Sequence, residues 1–152
     1  MVYVYLVLKF IHIAAAITAV GSNITYGVWN VRAQGDPAQL GFALKGIKFL
    51  DDRIANPAYG VLLVTGLLMV FINHWPIGSL WIVLALILFA VVAVLGFRVY
   101  SPLLANQIKL VDAGDTTSPE FERLSRRSAM LGPILGLLAV LILVMMVFKP
   151  TL

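Results

Sequence analysis

The stretch LWIVLALILFAVVAVLGF at positions 80–97 decides the fold class, because none of its side chains carries a charge. At a rise of 1.5 Å per residue, a helix of this length covers about 27 Å, close to the roughly 30 Å of hydrocarbon in a bilayer. A helix in a soluble bundle would show a polar face, and this stretch has none. We therefore predict a membrane-spanning helix here.

Three further apolar runs indicate that the chain crosses the membrane four times. The 152 residues are 61% hydrophobic and 12% charged, whereas a soluble domain has about 25% charged residues. The predicted fold is all-α: a single membrane domain over residues 1–152, in which four antiparallel transmembrane helices form a bundle with short cytoplasmic amphipathic helices. The lipid bilayer is thus a predicted partner. The predicted spans are, to within a few residues, 2–29, 54–72, 80–97 and 129–148.

The segments that connect the spans carry helix signals. Between spans one and two, apolar residues recur at helical spacing, which is typical of a short helix on the inner leaflet. Asp51 and Asp52 directly precede span two, where carboxylates favour a helix N-terminus. Residues 117–120, Thr-Ser-Pro-Glu, form a capping signal that opens a helix leading into span four. The apolar residues of the inner-leaflet helix are Leu40, Ala43, Leu44, Ile47 and Leu50.

The distribution of basic residues predicts the orientation. Nine of the eleven basic residues lie between spans one and two or between spans three and four. Short loops rich in Lys and Arg stay in the cytoplasm, so both termini and the turn at 73–78 are predicted to lie outside the cell (inner) membrane. The basic pI of about 9.6 reflects this bias, and no nucleic-acid partner is expected. The nine residues are Arg32, Lys45, Lys48, Arg53, Arg98, Lys109, Arg123, Arg126 and Arg127.

One face of the first span is polar. With successive residues about 100° apart, five small or polar residues fall within about 40° of His12, and Lys9 falls within about 60°. Lipid would leave the His12 imidazole and the Asn23 carboxamide without hydrogen-bond partners, so this face is predicted to point into the bundle. The five residues are Ala16, Ala19, Asn23, Tyr26 and Asn30.

Small residues and tryptophans suggest how the helices pack. Span four contains small residues every four positions, at Ser128, Gly132 and Gly136, which favours a close helix contact. Gly60 and Gly66 likewise predict a close helix contact for span two. Trp75 and Trp81 lie where interfacial aromatic anchors belong.

Three interpretations of His12 compete. The first is a neutral histidine that is hydrogen-bonded to a neighbouring helix and fixes the bundle. The second is an axial ligand of haem b, because imidazole is a common haem ligand and Ala15, Ala16 and Ala19 would leave room for a porphyrin face. In that case Lys9 or Lys149 would pair with the propionates, Asn23 would lie along the same face, and the second axial ligand would be His74, Met69, Met145 or none.

The third interpretation is a copper site. Thioether and imidazole are donors that Cu(I) prefers, and the predicted topology places His12, Met69, His74 and Met145 in or next to the outer half of the bilayer. A solute-handling protein of this kind, without enzymatic activity, is the alternative to a haem protein. A structural subunit that packs against other membrane proteins or a second copy through Gly132 and Gly136 is a further alternative. A hydrolase is disfavoured, because every acidic residue is predicted to be cytoplasmic and both histidines face outside.

The segments LKFIHIAAAI (8–17), AVGSNITYGVW (19–29) and LLVTGLLMV (62–70), with Trp81 opening span three, resemble a group of four-helix prokaryotic integral membrane proteins of unknown function. The chain also resembles, more distantly, HemJ-type protoporphyrinogen oxidases and the membrane domain of CopD copper-resistance proteins. In the HemJ-like pattern the first-span histidine is associated with haem, and the resemblance passes that role to His12. The lysine of that pattern near the start of span three is absent after Trp81, so the resemblance implies haem binding but not protoporphyrinogen oxidation.

The leading hypothesis is therefore a small haem b-binding or redox-related membrane protein with His12 as axial ligand. Whether it is an enzyme, and which residues would be catalytic, stays open at this point.

Overall fold

In the computed structural model, which describes residues 2–34, 36 and 38–151, the chain is helical and contains no β-strand within these residues. The all-α prediction is confirmed. Four helical runs are long and apolar enough to cross a membrane. The elements are α1 (Val2–Gln34), α2 (Leu40–Leu50), a first π-helical turn (Asp51–Ala55), α3 (Asn56–Ile72), α4 (Leu80–Val94), a second π-helical turn (Leu95–Tyr100), α5 (Ser101–Asp112) and α6 (Pro119–Phe148).

The amphipathic helix predicted before span two is present as α2, and it continues through the first π-helical turn into α3. Leu44 and Ile47 of α2 are buried, so packing holds this segment helical right up to the span. The prediction that Asp51 and Asp52 begin a helix is therefore wrong, because the helical run already starts at Leu40.

Each π-helical turn ends two residues before a proline. Pro57 and Pro102 each lie in the first turn of the α-helix that follows. A proline inside a helix removes one backbone N–H and clashes with the carbonyl four residues earlier, and a wider turn relieves this clash. The helical runs α2–α3 and α4–α5 thus pass their prolines without ending.

The capping signal before span four is confirmed. The Ser118 hydroxyl accepts a hydrogen bond from the backbone N–H of Phe121 at 3.1 Å, and Pro119 is the first residue of α6. Glu120 and Glu122 lie in the first turn, where negative charge stabilises the helix N-terminus.

The bundle is closed on one side and open on the other. Helix α1 packs against α3 and α6, and α6 packs against α4. The backbones of α3 and α4 do not approach each other closely over their described residues, although a tight hairpin joins them. Side chains bridge this gap at the hairpin end, where Val70 packs against Trp81 and Ile82.

The main hydrophobic core lies at the end of the bundle that carries the basic loops. Leu44, Ile47 and Leu104 are fully buried there, where α2 and α5 pack against each other. An ion pair of 2.6 Å between Lys45 and Asp112 also joins α2 to α5. The two connecting segments therefore form one packed layer beneath the spans.

The outer surface of the bundle is strongly apolar, as contact with lipid requires. Phe10 and Ile17 of α1 are 72% and 69% exposed, and Phe71 of α3 is 60% exposed. Surfaces of this kind are stable when hydrocarbon covers them.

Two sequence expectations about packing differ in outcome. A Cβ atom added at Gly132 or Gly136 would meet no atom within 4 Å, so these glycines make no close helix contact within the described chain. Ser128, the first residue of the predicted stripe, is 3% exposed, so close packing on this stripe is confined to its start. Gly66, in contrast, is in a close contact, which involves His12.

The two tryptophans near the hairpin pack on each other. The rings of Trp75 and Trp81 meet edge to face with centroids 5.4 Å apart, and the Lys149 ammonium lies 4.7 Å and 5.3 Å from the two ring centres. This cation–π cluster ties the end of α6 to the hairpin. Lys149 is therefore engaged with aromatic rings.

Replacing Leu104 with alanine should lower the free energy of unfolding by about 2–5 kcal/mol, because a fully buried side chain is lost and leaves a cavity. Reversible unfolding in mixed micelles measures this loss. Leu137→Ala is the matched control: Leu137 is 61% exposed, and a change of about 0.5 kcal/mol or less is expected. Equal losses for the two variants would contradict the placement of the core.

Candidate functional site around His12

His12 points into the bundle, as its helical position predicted. Its Nδ1 atom lies 2.8 Å from the Thr65 hydroxyl oxygen of α3, and the side chain is half-buried. The hydrogen bond joins spans one and two inside the apolar part of the protein. The imidazole therefore has the partner that a lipid-facing position would deny it.

The hydrogen-bond distances around Thr65 favour one tautomer of the imidazole. The Thr65 hydroxyl lies 2.6 Å from the backbone carbonyl of Val61 and donates its single proton there. With the proton assigned to this shortest contact, the hydroxyl accepts from His12; in that tautomer the proton of the neutral ring is on Nδ1 and Nε2 has the lone pair. The imidazole is thus set up as an acceptor or metal ligand through Nε2.

Gly66 provides the space for the ring. A Cβ atom at this position would lie 3.2 Å from Cε1 of His12, closer than side chains normally pack. Thr65 and Gly66 together form a cradle that holds the edge of the imidazole carrying Nδ1 and Cε1.

A second polar contact joins the same two helices toward the basic end. The Asn23 amide donates to the Tyr59 hydroxyl at 2.7 Å. Asn23 is about three helical turns from His12, so one stripe of α1 meets α3 at both levels. Ala19 and Tyr26, on this stripe, are buried. The inward orientation of the polar face is confirmed.

The space expected for a porphyrin is partly filled. Ala15 and Ala19 are 8% and 1% exposed, because neighbouring helices cover them. Protein atoms therefore occupy the space beside these two residues, and the expectation of a porphyrin next to His12 stays a prediction. Ala16, one turn from His12 on the same face, is half-buried and remains accessible at the edge of the helix pair.

The other predicted haem-site residues do not gather around His12. Lys9 is exposed, and His74 is exposed in the hairpin with a left-handed φ of 52°. His74 follows α3, which itself runs seven residues beyond Thr65, roughly 10 Å at 1.5 Å per residue. The two histidines thus lie at different depths.

The candidate copper ligands come from α1, α3, the hairpin and α6. Met69 is buried one turn beyond Thr65 on the same face of α3, whereas Met145 is half-buried on α6. Among the described residues, no group of three or more His, Asp or Glu side chains is arranged to hold a metal ion.

Sequence reasoning missed the residues that hold His12. Thr65, Gly66 and Tyr59 were not singled out as partners of the polar stripe. Thr65 carries a detectable signal, because a hydroxyl in the middle of an apolar span also needs a partner. Its match with His12 depends on the register between α1 and α3, which no local pattern encodes.

Comparison with known proteins identifies a family. A family model described as "Predicted integral membrane protein (DUF2269)" matches residues 6–150. No curated protein and no solved structure matches the chain. The resemblance to four-helix membrane proteins of unknown function is thus confirmed, and the distant likeness to HemJ-type and CopD proteins gains no support.

Replacing Thr65 with valine should lower the free energy of unfolding by about 0.5–2 kcal/mol, because His12 loses its partner on α3. Unfolding in mixed micelles again provides the measurement. Thr18→Val is the matched control, since the exposed Thr18 hydroxyl bonds only to the Ala14 carbonyl of its own helix. A loss of stability in the control as large as that in Thr65→Val would show that the interhelical bond is not the cause.

Proposed function

Since this chain belongs to the DUF2269 family of predicted integral membrane proteins, we propose that it binds haem b, with Nε2 of His12 as an axial ligand. The observation that supports this proposal is the hydrogen bond from His12 Nδ1 to Thr65. It leaves Nε2 as the free acceptor nitrogen of a ring whose orientation is fixed.

Metal-binding histidines in proteins have the same arrangement. The ring nitrogen that does not bind the metal donates to a fixed oxygen, which sets the tautomer and raises the basicity of the ligand. Thr65 supplies that oxygen here, and the Val61 carbonyl keeps the hydroxyl oriented. Gly66 keeps the ring from being displaced.

The surroundings of His12 fit one side of a flat ligand. Such a ligand would approach the accessible flank of the half-buried ring, where Ala16 presents only a methyl group one turn away. Haem, when bound, would supply one-electron redox chemistry, with a potential set by its ligand and the apolar environment. The chain's own part is to hold Nε2 in place and to exclude water.

Copper handling is the alternative supported by one observation. Met69 is buried on the face of α3 that carries Thr65, so a thioether and an imidazole lie on facing helices. Two soft donors of this kind suit Cu(I).

The visible spectrum of the purified protein tests the haem proposal. Protein expressed with adequate haem supply should show a Soret band, and His12→Ala should abolish it because the ligand nitrogen is lost. Thr65→Val should weaken haem binding by roughly 10–100-fold, because the imidazole loses its fixed orientation. His74→Ala is the matched control and should leave the band unchanged.

Absence of a Soret band in the unmodified protein would overturn the proposal, and so would a band that survives His12→Ala. Copper that remains after desalting and falls in Met69→Leu would favour the alternative. Co-purification with a second membrane protein, with neither cofactor present, would point to a structural subunit.

We further propose that both termini lie outside the cell membrane and that the layer formed by α2 and α5 lies in the cytoplasm. Nine of the eleven basic residues are at that end, and short loops rich in Lys and Arg remain inside. The ion pair between Lys45 and Asp112 supports the placement of both connecting segments on one side.

Single cysteines test this orientation, because the sequence contains no cysteine. Ile77→Cys in the hairpin and Thr117→Cys before α6 are both at exposed positions. In right-side-out vesicles, a membrane-impermeant maleimide should label Ile77→Cys, and it should label Thr117→Cys only after the membrane is permeabilised. The reverse pattern would overturn the orientation.

A further inference from the structure

A cavity of about 240 Å³ lies between α3 and α4, where the bundle is open. Its walls are mostly apolar and include Leu63, Phe89 and Val92. The end toward the basic loops is polar, with Asp51 and three tyrosines in the wall. The cavity is therefore amphipathic, and it is separate from His12, which does not line it.

The cavity wall contains one carboxylate, that of Asp51, and no basic residue among those described. Asp51 is only 8% exposed and forms no ion pair with a described residue. The next residue, Asp52, is exposed and is paired with Lys48. A buried carboxylate is costly unless a positive group compensates it. No basic residue lines the cavity among those described, and the nearby Lys48 ammonium is paired with Asp52. Asn56 and Ser101 are within reach of the Asp51 carboxylate, but both are uncharged. A cationic ligand in the cavity would pair with Asp51 directly.

Aromatic rings surround the same space. Tyr26 and Tyr100 stack with centroids 6.5 Å apart, and Tyr59 meets Phe89 edge to face at 6.1 Å. All four residues line the cavity. Aromatic rings around an organic cation are a common recognition mode, and the attraction is stronger when the cation is desolvated.

Tyr26 also contributes an unused polar group. Its side chain is 5% exposed, and its hydroxyl has no hydrogen-bond partner within the described part of the chain. Buried hydroxyl groups normally have a partner, so an orphaned one next to an unpaired carboxylate indicates that a ligand completes this site.

The cavity opens toward the bilayer. Leu63 and Phe97 both line it and are 38% and 53% exposed on the outer surface. A Cβ atom added at Gly60 or Gly96, which also line it, would meet nothing within 4 Å. A molecule dissolved in the membrane can therefore reach the cavity from the lipid side, between α3 and α4, whose backbones do not pack closely.

We propose that this cavity binds an amphipathic organic cation from the bilayer, with Asp51 as its counter-ion and Tyr26, Tyr59 and Tyr100 around its head. An anionic lipid head would be repelled by Asp51 and would find no basic residue in the wall. A neutral head would form no ion pair with Asp51. A cation would form an ion pair with Asp51 and a cation–π interaction with the aromatic rings.

Fluorescence titration with a matched pair of dyes tests the proposal. The probe is 4-(4-dimethylaminostyryl)-N-methylpyridinium, and its uncharged parent, the styrylpyridine without the N-methyl group, is the neutral control. In neutral lipid nanodiscs, the protein should bind the cation at least tenfold more tightly than the parent. Asp51→Asn should reduce cation affinity at least tenfold and leave the weak binding of the parent unchanged.

Two variants separate the site from general effects of charge and folding. Asp52→Asn removes the adjacent exposed carboxylate and should change cation affinity less than twofold. Gly60→Leu fills the cavity without altering any charge and should abolish binding of the cation. Thermal unfolding of each variant checks that it is folded.

Equal affinity for the two dyes, or undiminished cation binding in folded Asp51→Asn or Gly60→Leu, would overturn the proposal. Failure of the unmodified protein to bind the cation would overturn it as well. Because His12→Ala leaves this cavity intact, it should bind the dye normally, so this outcome is independent of haem.

Discussion

The hydrocarbon core of a membrane contains no hydrogen-bond partner, and this constraint decides how α1 and α3 face each other. His12 and Asn23 are too polar to meet lipid, and each finds its partner on α3, in Thr65 and Tyr59. The two contacts are eleven residues apart on α1 and six residues apart on α3, and together they fix the facing surfaces and the register of the pair. The large apolar side chains are on the opposite face of α1, so they point toward the lipid.

The number of spans and the inward face of α1 could be predicted because each follows from a local property, apolar length or the need of His12 for a partner. The partner itself could not be predicted, since it depends on the relative displacement of two helices distant in sequence. Gly132 and Gly136 illustrate the opposite error. Their spacing creates a groove on α6, but no described helix fills it. A spacing of small residues shows that a close helix contact is sterically possible. Whether the contact forms depends on where the other helices lie.

The helix boundaries were misjudged for a related reason. Asp51 and Asp52 followed by Pro57 is a typical helix-start sequence, yet the helix begins at Leu40 and passes through them. The π-helical turn accommodates the proline, and burial of Ile47 keeps the preceding segment helical. The second π-helical turn accommodates Pro102 in the same way. Both π-helical turns contribute residues to the cavity between α3 and α4. The bundle is therefore open at the level where these helices accommodate their prolines.

The two proposed sites share one structural element although they lie at different depths. The Tyr59 ring lines the cavity, where it packs against Phe89. Its hydroxyl accepts a hydrogen bond from the Asn23 amide of α1. The register that places Asn23 against Tyr59 is also the register that places His12 against Thr65. A displacement of α1 along α3 by one helical turn would therefore remove the partner of His12 and shift the aromatic wall beside Asp51. Each site has its own chemistry, but the α1–α3 interface positions both.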